Sequence, residues 1–184
     1  MLEVISLQKF DATFSHIEID GCVPIRFRSY QGTIGAKYIR IGDFQTLLLE
    51  LVLGSNEAVI RGLTLSLFEV VHEPEALGGV AMASGLPLVK LPADAKFKGS
   101  PYAPRLDIGA TLSVSLGKDF AEVLISEAEH VDTLLCHGRI GFMLNAGLLT
   151  GIRVSDLTPV EVDTLAILVA EAKTRNTKTQ QDAA

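Results

Sequence analysis

The sequence predicts an α+β fold that is mostly β: two similar antiparallel β units, arranged as a sandwich or as one continuous sheet, with a C-terminal helix packed on the sheet. Three observations predict it. The first is an internal repeat: Leu51-Val52-Leu53, a polar turn and Val59-Ile60-Arg61-Gly62-Leu63-Thr64-Leu65 are echoed by Phe142-Met143-Leu144, a shorter turn and Leu148-Leu149-Thr150-Gly151-Ile152-Arg153-Val154. The second is alternation of apolar and polar residues over short runs, the period of a half-buried strand. The third is a single strong helix start near the C-terminus, at Thr158-Pro159-Val160-Glu161.

Residues 1–10 are apolar enough for a strand or a short helix, and periodicity does not separate the two. Residues 15–19 alternate, Asp20-Gly21 is a turn pair, and 23–30 alternate again, with Arg26 and Arg28 on one face and Ile25 and Phe27 on the other. That is an antiparallel hairpin with one wet face. Strands follow at 38–41 and 44–53, where Leu47, Leu49 and Leu51 share a face and Leu48, Glu50 and Val52 share the other. After a turn at 54–57, a long apolar strand at 59–71 carries Gly62, the mark of a bulge or close backbone approach.

Residues 72–104 hold five of the seven prolines and four glycines, which disfavours long regular elements. This stretch reads as the crossover between a first unit, 1–71, and a second, 105–173, with one short strand at 86–91. Further strands are expected at 106–108, 111–116, 120–126, 134–145 and 148–156. The helix start is a capping box: Thr158 accepts an early amide N–H, Glu161 reaches back, and Pro159 has no donor to leave unbonded. Val162, Leu165, Val169 and Ala172 then form an apolar stripe. The polar tail at 174–184 is expected to be disordered. All of this fits one compact domain, since a chain of 184 residues buries roughly 70% of its unfolded surface without staples.

Composition narrows the function classes. Apolar residues make up 48% of the chain but aromatics only 6%, with no Trp, so Leu, Val, Ile and Ala build the core. Two cysteines, Cys22 and Cys136, make no disulfide framework, and the start lacks the basic and apolar segments of a secretory signal. A cytoplasmic protein is expected. The longest apolar run, 47–53, is interrupted by Glu50 and falls short of the ~18 residues a membrane span needs.

Charge is uneven. Residues 1–106 carry 10 Lys and Arg against 11 Asp and Glu, a balance of -1, whereas 107–184 carry 6 against 11, a balance of -5. A field of that sign repels phosphate backbones and favours basic partners, so direct nucleic-acid binding is disfavoured. Asp119, Glu122, Glu127, Glu129, His130 and Asp132 are therefore the candidate partner-binding residues.

No phosphate-binding glycine loop, nucleophile elbow, His-Glu-x-x-His or Cys-x-x-Cys is present. A Cys/His metal site drawn from His16, Cys22, Cys136 and His137 lacks the close ligand pairs zinc prefers. His72, Glu73 and Glu75 read as a solvated turn rather than an acid and base, because no nucleophile accompanies them. No catalytic residue, cofactor or metal is assigned. A carrier of a small molecule or lipid between two sheets is the alternative, with Phe10, Phe14, Phe27, Phe44, Phe68 and Phe142 as lining. An unrecognised hydrolase or isomerase around His72 is a third reading.

Arg139-Ile140-Gly141-Phe142, the hairpin 148–154 and the ending Asp156-Leu157-Thr158-Pro159-Val160-Glu161 resemble the close of small bacterial immunity proteins from polymorphic-toxin and contact-dependent inhibition loci. The resemblance covers about the last 45 residues, and no toxin-contact residue carries over from it. It implies a non-enzymatic protein that binds and neutralises a toxin domain, often a basic nuclease. Open sheet edges leave pairing into a homodimer open.

Overall fold

A computed structural model describes residues 2–9, 15–29, 35–54, 58–66, 71–72, 79–125 and 130–182, with side chains throughout except at 71–72 and 172–182. The chain forms strands β1 (Glu3–Gln8), β2 (His16–Glu18), β3 (Ile25–Arg28), β4 (Lys37–Gly42), β5 (Leu48–Leu53) and β6 (Ile60–Ser66). Next come β7 (Val71–His72), β8 (Ala81–Ser84), β9 (Leu86–Lys90) and β10 (Arg105–Gly109). Then come β11 (Leu112–Leu116), β12 (Ala121–Ile125), β13 (Thr133–His137), β14 (Ile140–Asn145), β15 (Leu148–Val154) and helix α1 (Pro159–Asp182).

Two sheets result. The six-stranded sheet runs β10-β4-β5-β6-β3-β2; the nine-stranded sheet runs β7-β11-β12-β15-β14-β13-β8, with β1 joining β15 and β9. Each unit contributes five antiparallel strands in the same order: β4-β5-β6-β3-β2 in the first and β13-β14-β15-β12-β11 in the second. The repeat holds residue by residue. Val52 faces Gly62 as Met143 faces Gly151, Leu51 faces Leu63 as Phe142 faces Ile152, and both hairpins shift register at the next residue. At Gly151 a Cβ would lie 2.9 Å from the Val123 carbonyl oxygen and 3.2 Å from the Met143 sulfur, so a side chain there would force the strands apart.

The linking region is richer than a crossover. It supplies β9 and β8, the latter parallel to β13 in the second sheet, while β10, from the start of the second unit, runs parallel to β4 in the first. β1 in turn leaves the first unit to pair antiparallel with β9. The units therefore interlock through exchanged edge strands. The run expected as one strand at 134–145 is a hairpin, turned at Gly138, whose φ is 60°.

The core lies between the sheets. Ile25, Phe27, Ile39, Ile41, Leu49, Leu51, Leu63 and Leu65 point inward from one, and Val114, Val123, Ile140, Phe142, Ile152 and Val154 from the other. Each side chain so buried stabilises the fold by roughly 1.5–3 kcal/mol. The Phe27 ring meets the His137 imidazole edge to face across the gap, with centroids 6.1 Å apart.

The capping box forms as the sequence requires: the Thr158 N–H donates to Glu161 at 2.8 Å and the Glu161 N–H to the Thr158 hydroxyl at 3.3 Å. Leu165, Leu168 and Val169 bury α1 against the same core. The helix extends to Asp182. Once a capped and packed segment has nucleated, each further turn costs only propagation. No helix among the described residues is long and apolar enough to cross a membrane.

Candidate functional site

Of the acidic residues singled out from the sequence, the described ones, Asp119, Glu122 and Asp132, do not come together. Glu122 is only 3% exposed and its carboxylate accepts from the Arg153 guanidinium, which lies 3.7 Å above the Phe120 ring. Burial pushes the Glu122 carboxyl up, with Arg153 opposing. Asp132 accepts the Ala146 N–H at 2.6 Å, which holds its carboxyl below the usual range and braces the β14–β15 turn. Asp119 and His130 are exposed, while Glu127 and Glu129 lie outside the described residues.

Register separates the remainder. Asp119 precedes Ala121, whose row across the sheet is Val154, Ile140 and His137; Asp132 precedes Thr133, at the other end of β13. Four residue steps along a strand put these two ends about 13 Å apart. Glu122 thus belongs to the interior, and Asp119 and Asp132 flank opposite ends of the sheet.

A different surface carries an ordered set of charges. On the outer face of the six-stranded sheet, the pairings run Glu18–Arg26, Arg26–Thr64, Thr64–Glu50, Glu50–Arg40 and Arg40–Asp107. This is a single row across all six strands, its five charged members alternating in sign and Thr64 standing neutral between Arg26 and Glu50. Arg26 meets Glu18 at 3.2 Å, and Arg40 grips Asp107 with two bonds of 2.7 and 2.8 Å. That fork holds the Asp107 carboxyl below its ordinary range. Half-buried Glu50 is pushed up by burial, against Arg40 and Arg105.

One step along the strands, about 7 Å away, a second row runs His16, Arg28, Gly62, Val52, Tyr38 and Arg105, and the bridge from Arg105 adds Lys98. This row contains no carboxylate. Among the described residues neither Arg28 nor Arg105 forms an ion pair, and both are exposed. The loop closed by the Lys98–Arg105 bridge presents Tyr102, which is 88% exposed. Arg and Tyr are residue types that anchor protein interfaces. The parity of Arg26 and Arg28 was readable in the sequence. Their alignment with Arg40, Asp107 and Arg105 was not, because β10 opens the second unit along the chain yet joins the sheet of the first.

The remaining candidates fall in ordinary places. A crevice of about 100 Å³ opens between the sheets, lined by Leu2, Ile41, Ile108, Gly109, Ala110, Ile125 and Leu149. Ligand pockets usually measure ~300–1,000 Å³, so it holds at most a short alkyl segment. Of the phenylalanines proposed as lining, the three described ones do not border it: Phe27 and Phe142 are core and Phe44 is an exposed loop residue over which Arg40 stacks; Phe10, Phe14 and Phe68 lie outside the described residues. Cys22 is exposed, Cys136 half-buried, His16 exposed and His137 buried, and no group of three metal-ligating side chains occurs among the described residues. The side chains of His72, Glu73 and Glu75 are likewise outside them. The sequence matches no protein-family model and no curated protein.

Proposed function

We propose that this chain is a protein-binding module whose partner docks on the outer face of the six-stranded sheet. The observation that carries the reading is the row His16, Arg28, Tyr38, Arg105 and Lys98, cationic and aromatic, with no carboxylate in it. The neighbouring ladder of alternating charge fixes the orientation of a partner that complements it, since like charges brought face to face are rejected. The resemblance of the last 45 residues to immunity proteins supplies the partner class, a toxin domain. The arginine row supplies the sign of the surface that domain presents, which is acidic.

A toxin-domain gene next to the gene for this chain is the expected source of the partner. The purified domain binds the wild-type chain, with an association rate that falls as salt is raised. Reversing Arg28→Glu and Arg105→Glu together weakens binding by about 100-fold, the scale of two truncated interface anchors, while melting stays at the wild-type temperature. Binding that survives the double reversal, or that is lost on neutralising Asp119, His130 and Asp132 instead, contradicts the assigned face.

A further inference from the structure

The two units treat one matching edge differently. Arg105 pairs with Tyr38, Tyr38 faces Val52, Met82 pairs with Leu134 and Leu134 faces Met143, so Arg105 and Met82 occupy equivalent places on the outermost strand of each unit. In the first unit that place is covered: Arg105 exchanges both backbone bonds with Lys98, at 2.8 and 2.7 Å, in an antiparallel bridge. In the second unit Met82 is 72% exposed. The Ala81 and Gly85 N–H groups donate inward to Asp132 and Cys136, so alternation turns the N–H and C=O of Met82 and Ser84 outward. No described residue takes them. Exposed strand edges without charge or proline are templates for another strand.

The geometry points to a second copy of this chain as the occupant, its β8 pairing antiparallel with this β8 about a two-fold axis through Met82. The segment is its own complement. Gly79-Val80-Ala81-Met82-Ala83-Ser84-Gly85 is symmetric in side-chain size about Met82, so the axis sets Ala81 opposite Ala83, Val80 opposite Ser84 and glycine opposite glycine. Both end glycines have positive φ, 70° and 147°, which confines the flat segment to the residues between them. Nothing in the segment is charged, so no like charges meet across the axis. The two Met82 residues exchange both backbone bonds, as Arg105 and Lys98 do within one chain, and each Ser84 N–H donates to the partner's Val80 carbonyl. Such an isologous contact closes on itself and stops at two chains.

Sedimentation equilibrium tests this. The wild-type mass rises with concentration from 19.7 kDa toward twice that value, with a dissociation constant on the order of 10 μM, as suits a small interface. Met82→Lys stays monomeric with unchanged melting, because it charges the edge while leaving the β8–β13 bonds in place. In a Cys22→Ser background, Met82→Cys oxidises to a covalent dimer and the still more exposed control Tyr102→Cys does not. A wild-type chain that is monomeric up to about 0.1 mM, a dimer that persists in Met82→Lys, or equal cross-linking of the two cysteine variants overturns the proposal. So does a β8 edge that becomes protected from hydrogen exchange only when a different protein is added.

Discussion

The Glu122–Arg153 pair offers a quantitative test of the interior assignment made above. The Glu122 side chain is 4% exposed and that of Arg153 19%, so Arg153→Met strands a carboxylate in the interior. Breaking a buried pair from one side costs about 3–5 kcal/mol. At ~2–4 °C per kcal/mol for a chain of this size, melting falls by roughly 6–20 °C. Replacing both residues by Met removes the stranded charge, and the double variant melts within a few degrees of wild type, about 1–2 kcal/mol away. The pH dependence carries a definite sign. Burial raises the Glu122 carboxyl in the folded chain, so the folded state holds a proton that the unfolded state releases, and stability falls as pH rises from the ordinary Glu value through the folded one. Removing Arg153 widens that window, and Arg153→Met regains stability on acidification. Thermal melts of the four proteins at about pH 5 and about pH 8 read both effects. A single variant within ~2 °C of wild type at neutral pH, or a loss that deepens in acid, refutes the reasoning.

Three further outcomes follow from local geometry. Asp43 Oδ1 accepts the N–H groups of Gln45, Thr46 and Leu47 at 2.9, 2.9 and 3.0 Å, so Asp43→Ala costs about 1–2 kcal/mol in urea denaturation. Burial opposes the ionised form, but those donors and the Thr46 hydroxyl outweigh it and hold the carboxyl far below the Asp range. The contribution is therefore present above the ordinary Asp value and lost only as pH falls through the folded one, so the gap to wild type narrows only in strong acid. Gly42 sits at φ 144°, where a Cβ would lie 2.2 Å from the Leu47 carbonyl oxygen; Gly42→Ala destabilises by about 3 kcal/mol or more, measured the same way. Thr158→Ala removes the hydroxyl half of the helix cap, costs ~1 kcal/mol and lowers melting by ~2–4 °C.

The strands with one wet face were legible because alternation reports burial directly, as in Ile25, Arg26, Phe27 and Arg28. The repeat was legible because Gly62 and Gly151 stand at equivalent pairings within similar apolar runs, although the turn of the second hairpin is shorter. Which sheet a strand joins was not legible. β8 has no alternation and β10 has the same pattern in either sheet, so the exchange of edges is decided by tertiary pairing rather than by local propensity. The Gly138 turn was hidden inside an apolar run, since both arms of the β13–β14 hairpin face the core. Asp119 and Asp132 stand apart for a related reason: residues close in sequence are carried to opposite ends of a sheet when a strand intervenes. The arginine row is the converse, assembled from all six strands of its sheet, from His16 to Arg105 along the chain.

Hydrogen exchange of the complex with the toxin domain tests the docking face most directly. The account predicts slowed exchange in β3, β4 and β10 and in the loop carrying Tyr102, with little change at 117–120 and 130–132. Protection confined to those two acidic turns, with the six-stranded sheet unchanged, contradicts it.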